Sequence, residues 1–233
     1  MIEQLPLYVS IVFIFTTLLT VWLFLRSIPI SVRNKLPSRI LSFVLPFWLL
    51  LQGALSIGDF YHYPDAVPPR FFVFGVLPTI ILVAIYLVFF RKDFIDELSL
   101  KALTLLHVVR VAVEITLLWL FQASQVPQIM TFEGRNFDIL SGLTAPLIYF
   151  LAFRNGKTNR PLLIVWNLIA LGLLINIVTI AFLSSKSPIQ KLALDQPNVG
   201  VTYFPFIWLP TIVVPIVLFS HLTSLWKLFK TGA

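Results

Sequence analysis

Cysteine is absent from the 233 residues, and charge is scarce at 12%. The missing thiols exclude disulfides, zinc–thiolate centres, iron–sulfur clusters and cysteine nucleophiles. They do not fix the compartment. The shortage of charge says more. A soluble domain carries about 25% charged residues because its surface must face water. Here 58% of the residues are apolar and the mean hydropathy is +0.94, so most of the surface has to face lipid. Three histidines are too few for a two-haem electron conduit.

Catalytic signatures are missing too. No His-x-x-Glu-His, Gly-x-Ser-x-Gly or P-loop occurs. The last apolar run holds no lysine for a retinal Schiff base. A net charge of +7 would point to nucleic acid in a soluble chain, but these basic residues stand in short loops, where they report topology. No nucleic-acid partner is expected. The expected partners are the lipid bilayer and a hydrophobic small molecule, and no residue pattern names a protein partner.

What is present is a series of apolar runs. A span needs about 20 such residues to cross about 30 Å of hydrocarbon. Seven runs qualify or nearly so: 5–25, 40–58, 71–90, 102–122, 138–153, 161–183 and 205–226. The fifth is the shortest, and Gly142 and Pro146 mark it for a kink or for burial within protein. The first lacks a basic leader and a small-residue cleavage site, so it reads as a span and not as a signal peptide. The expected fold is an all-α bundle of seven transmembrane helices forming a single domain.

Twelve of the seventeen basic residues fall in alternate connections: Arg26, Arg33, Lys35, Arg39, Arg91, Lys92, Lys101, Arg154, Lys157, Arg160, Lys227 and Lys230. Four fall on the other side, Arg70, Arg135, Lys186 and Lys191. The richer side faces the cytoplasm, which puts the N-terminus outside and the C-terminus inside a plasma or inner membrane. Trp22, Trp226, Tyr61, Tyr63 and Tyr203 stand near run ends, where interfacial anchors belong. Prolines 46, 78, 146, 210 and 215 lie inside runs, and each frees a carbonyl that a neighbour must satisfy. The first and last three runs share no motif beyond hydrophobicity, which weakens a repeat-built transporter.

Charge in hydrocarbon costs about 2.5–3.5 kcal/mol per residue on insertion scales and marks function. The fourth run carries His107, Arg110 and Glu114, within about 60° of one helix face. Arg110 and Glu114 stand i, i+4 and can pair directly. The bland reading is an ion pair that only fixes packing. The run before the loop Asp59-Phe60-Tyr61-His62-Tyr63-Pro64-Asp65 offers Gln52, Ser56 and Asp59 on one face. The loop before the fifth run brings Glu133, Arg135 and Asp138, with Asp138 also placed to cap that helix.

These residues converge on one expectation: a polar cavity open to the outside, binding or converting a lipid or isoprenoid by acid–base chemistry. Glu114 is then the acid or base, Arg110 sets its charge state or holds an anionic head, and Asp59 and Asp138 assist. His107, Gln52, Arg135 and His62 would bind substrate. A proton-coupled transporter is the alternative, and a non-catalytic subunit of a membrane complex is a further one. No cofactor is expected. The exception weighed is one haem between His107 and His221, which lie at similar distances from Lys101 and Lys227.

Overall fold

The structure, a computed structural model, describes Ile2, residues 5–63 and residues 66–230. Glu3, and Pro64 and Asp65 of the 59–65 loop, lie outside the described residues. Among the described residues no strand forms, and one isolated bridge joins Ser185 to Asn198. Six helices are long and apolar enough to cross a bilayer: α1 (Leu7–Arg26), α2 (Leu36–Ile57), α3 (Phe72–Phe89), α4 (Leu100–Gln122), α6 (Arg160–Ser184) and α7 (Leu209–Lys230). Between α4 and α6 lies a shorter apolar helix, α5 (Ile139–Ala152). The chain is thus a helical membrane-embedded protein.

Sequence signals place most of the boundaries. The Ser99 hydroxyl accepts from the Ala102 N–H at 3.3 Å and caps α4, and Asn159 does the same for Leu162 at the start of α6, at 3.2 Å. Pro37 and Pro161 occupy first turns, where their missing N–H is no loss. The last helix starts four residues later than the 205 boundary of its run, because residues 200–208 are occupied by short turns around Pro205. At 14 residues, α5 is only about 21 Å long, less than a bilayer core. The connection before it folds back into the bundle, with Met130, Thr131 and Asn136 buried. Irregular backbone at that depth is tolerated where protein surrounds it.

Helices α4 and α7 form the centre. α1, α5 and α7 all pack against α4, and α6 packs against both α5 and α7. The face of α1 toward the centre carries Thr16, Thr17 and Thr20, each donating its hydroxyl to the carbonyl one turn back. Gly142 lets α5 approach α4 closely: a Cβ there would lie 2.8 Å from the Val111 backbone N and 3.3 Å from the Arg110 Cβ. At that level α4 is itself interrupted, at His107 and Val108, between helical segments Leu100–Leu106 and Val109–Gln122. Outward faces carry large apolar side chains such as Phe15, Phe43, Leu50, Phe89 and Phe150, as lipid contact requires.

Two helices begin as π-helices, α3 over Phe72–Val76 and α7 over Leu209–Val213, and these segments pack against each other. Gly75 stands at the contact, where a Cβ would come within 2.7 Å of the Thr211 side chain. The prolines one turn on free two carbonyls, and α2 satisfies both. Gln52 Nε2 donates to the Phe74 carbonyl at 3.0 Å, the one Pro78 leaves unpaired. The Trp48 indole N–H donates to the Thr211 carbonyl at 3.3 Å, the one Pro215 leaves unpaired. Tyr61 completes this joint by donating its hydroxyl to Gln52 Oε1 at 2.7 Å. Burial pushes the Tyr61 phenol up to about 12 despite that bond, so it remains a donor at neutral pH. It is buried and is no lipid-facing anchor, whereas Trp22 and Tyr63 are exposed.

Candidate functional site

The site is assembled where the break in α4 meets the start of α5. Asp138 occupies the residue before α5, yet its carboxylate makes no cap bond. It turns instead to Arg110: Nε donates to Oδ2 at 2.6 Å and Nη2 donates to Oδ1, a side-on pair with both side chains buried. The expected Arg110–Glu114 pair is therefore corrected. Asp138 offers the planar guanidinium two oxygens at once, whereas both Glu114 oxygens accept from the Asn136 amide.

Arg110 makes two more contacts. Nη2 also donates to the Ala170 carbonyl of α6 at 3.1 Å, and Nη1 meets His221 Nε2 of α7 at 3.0 Å. On the far side of that ring, His221 Nδ1 faces Asn167 Oδ1 at 2.8 Å, while the Asn167 amide donates to Leu163 O. An amide oxygen only accepts, so Nδ1 carries the hydrogen and Nε2 accepts from Arg110. Four of the five N–H groups of Arg110 are thus engaged by the protein. The group is a clamp joining α4, α5, α6 and α7, and this corrects its expected role as a holder of an anionic head.

His107 lies face to face with His221, ring centres 3.9 Å apart and planes 22° apart, with Trp166 edge-on at 5.3 Å. A bis-histidine haem needs the two ligating nitrogens on opposite faces of a porphyrin. Stacked rings leave no layer for one, and both His221 nitrogens already have partners, so the haem alternative does not fit this geometry. Neither His107 nitrogen is hydrogen-bonded among the described residues.

Glu114 lies one turn above Arg110, also buried. Asn136 Nδ2 donates to its two oxygens at 2.7 and 2.6 Å and to the Met130 carbonyl at 2.9 Å. Asn136 Oδ1 in turn accepts the Asp138 N–H at 3.0 Å, so one asparagine orders both acids. Among the described residues no cation pairs with Glu114. Its carboxyl and that of Asp138 line a cavity of about 430 Å³ between α3, α4, α6 and α7. The rest of the wall is apolar, including Val76, Leu117, Leu174 and Ile177, with Thr179, Ser185 and Asn198 near its rim. Ile80 and Val178 line it while 42% and 41% exposed, so it opens sideways between α3 and α6.

The remaining candidates lie elsewhere. Asp59 is exposed, with a left-handed φ of 57°, and pairs with His62 Nδ1 at 2.7 Å. It does not reach the cavity, because α2 ends at Ile57 and the chain turns outward there, so the expected three-carboxylate cavity is corrected to two. Gln52 serves the α3 joint. Arg135 is exposed, and its carbonyl accepts from Asn176 at 2.9 Å. Asn136 and Asn167 were given no role by the sequence reading. Their one signal was an amide in an apolar setting, which also marks ordinary interhelical bonding.

Residues 68–229 match a family described as Domain of unknown function (DUF8737). The match takes in more than half of the chain, which belongs to this family. It covers the whole Glu114 site and leaves out α1 and α2. No curated protein and no solved structure matches the chain.

Proposed function

We propose that this member of the family binds and converts a hydrophobic small molecule, of lipid or isoprenoid type, by acid–base chemistry at Glu114. The observation that carries the reading is the cavity itself: apolar walls, a side opening toward the bilayer, and a buried carboxyl, Glu114, that forms no salt bridge among the described residues. Ligand sites are mostly apolar clefts of about 300–1,000 Å³ with a few placed polar groups, and about 430 Å³ falls in that range. A packing pair needs only Arg110 and Asp138. Glu114 and Asn136 go beyond what packing asks for, and a carboxyl fixed at both oxygens is placed to give or take a proton.

The working topology is seven spans with the N-terminus outside, α5 being the short fifth. Twelve basic residues at one end of the bundle against four at the other support it. The cavity and the loops that hold Asn136 and Asn198 then lie toward the outer leaflet. Because the chain has no cysteine, Glu133→Cys and Lys157→Cys give clean single labels. An impermeant maleimide applied to intact cells is expected to modify the first and spare the second; the reverse pattern refutes the orientation.

Filling the cavity tests the function. Ile177→Trp puts a larger side chain into the space without touching Glu114 or Arg110. Wild-type protein purified gently is expected to carry a specific small molecule, seen by mass spectrometry of the extract, which the variant lacks. An identical complement of bulk lipid in both would refute the binding site.

A further inference from the structure

We infer that the molecule bound at Glu114 is an amphiphile with an anionic head, held by Arg70, Lys186 and His62 in a second cavity beside the first. This rests on the binding reading above and names the head group. The second cavity, of about 160 Å³, lies at the loop end of the bundle, and its lining mixes polar side chains with apolar surface. It shares Phe71, Ser185 and Asn198 with the apolar cavity, so the two adjoin along a common wall. The proposed molecule lies across both, head in the cavity beside Arg70 and chain along α3 and α6 toward Glu114.

The charge of the head follows from the cations. Arg70 lies over the Tyr63 ring at 3.8 Å and donates to the Phe60 carbonyl only at 3.4 Å. Neither Arg70 nor the exposed Lys186 pairs with a carboxylate among the described residues. His62 donates from Nδ1 to Asp59, since a carboxylate only accepts, and this orients the ring. Its Nε2 is buried and has no partner among the described residues. Asn198, 2% exposed and lining both cavities, likewise keeps an unpaired Oδ1. Glu114 taken alone would favour a cationic head, but such a head would share the mouth with two cations that pair with no carboxylate among the described residues. With the anion at the mouth, Glu114 faces the chain. Phosphate and carboxylate heads share this chemistry.

The test uses three twelve-carbon probes, dodecyl phosphate, dodecanol and dodecyltrimethylammonium, with laurate added to separate the two anion types. Occupancy is read by native mass spectrometry of the full chain released from micelles. Dodecyl phosphate or laurate is expected to bind at least about tenfold tighter than the other two, a difference of about 1.4 kcal/mol. Arg70→Gln with Lys186→Gln is expected to remove that preference and leave dodecanol unchanged. Lys186→Gln alone, at an exposed position, carries the test should the double variant not fold. Equal binding of alcohol and anion, or an unaltered preference in the variants, overturns the anionic head while leaving the Glu114 site standing. Binding of every probe that survives Ile177→Trp overturns both.

Discussion

Asp138→Asn is expected to destabilise the protein by about 3–5 kcal/mol, the cost of leaving a buried charge without its partner. Asparagine keeps the size but loses the charge, and Arg110 stays fixed among α4, α6 and α7 with a positive charge uncompensated. Replacing both partners, Arg110→Met with Asp138→Leu, is expected to recover most of that loss, because it removes the uncompensated charge. Denaturant titration in mild detergent measures both. The magnitudes decide between two views of the pair. Polar contacts between membrane helices average only about 0.6 kcal/mol, so an Asp138→Asn loss of that size would show that the clamp does not hold the bundle together.

Glu114→Gln is expected to behave in the opposite way. Glutamine still presents one oxygen to Asn136 but replaces the second acceptor with an NH2, so one hydrogen bond is lost and stability should fall by about 0.5–1.5 kcal/mol. Function should suffer far more, since a placed general acid or base contributes about 10²–10⁴-fold. Stability kept and turnover lost together separate this site from a structural one. A variant that fails to fold would return Glu114 to the packing account. The carrier reading gives a distinct result: uptake that follows a proton gradient in the wild type and loses that dependence in Glu114→Gln.

Much of the architecture was legible because hydrophobic run length is a strong signal. Each run from 5–25 to 161–183 overlaps a helix closely, including α5, the shortest run and the shortest of these helices. The boundary of the last run was set too early because residues 205–208 are apolar without being helical. The equal depth of His107 and His221 suggested a haem, but depth does not reveal that the two rings stack on each other. The site was legible in part. Arg110, Glu114 and Asp138 do converge, since buried charge in lipid needs a partner or a use. Which acid Arg110 chooses was not legible, because the choice depends on the break in α4 and the close approach at Gly142. Asp59 was misread because helical periodicity was carried past Ile57, where α2 has already ended. The asparagines were invisible as site residues because an amide carries no charge to draw attention, although Asn136 orders both acids.

The most direct test is proton transfer itself. Wild type and Glu114→Gln are incubated in deuterated buffer with a total membrane lipid extract, and all small molecules are then compared by mass spectrometry. The account predicts one species that gains deuterium or is consumed with the wild type and is untouched by the variant. Identical extracts from both proteins would contradict acid–base chemistry at Glu114.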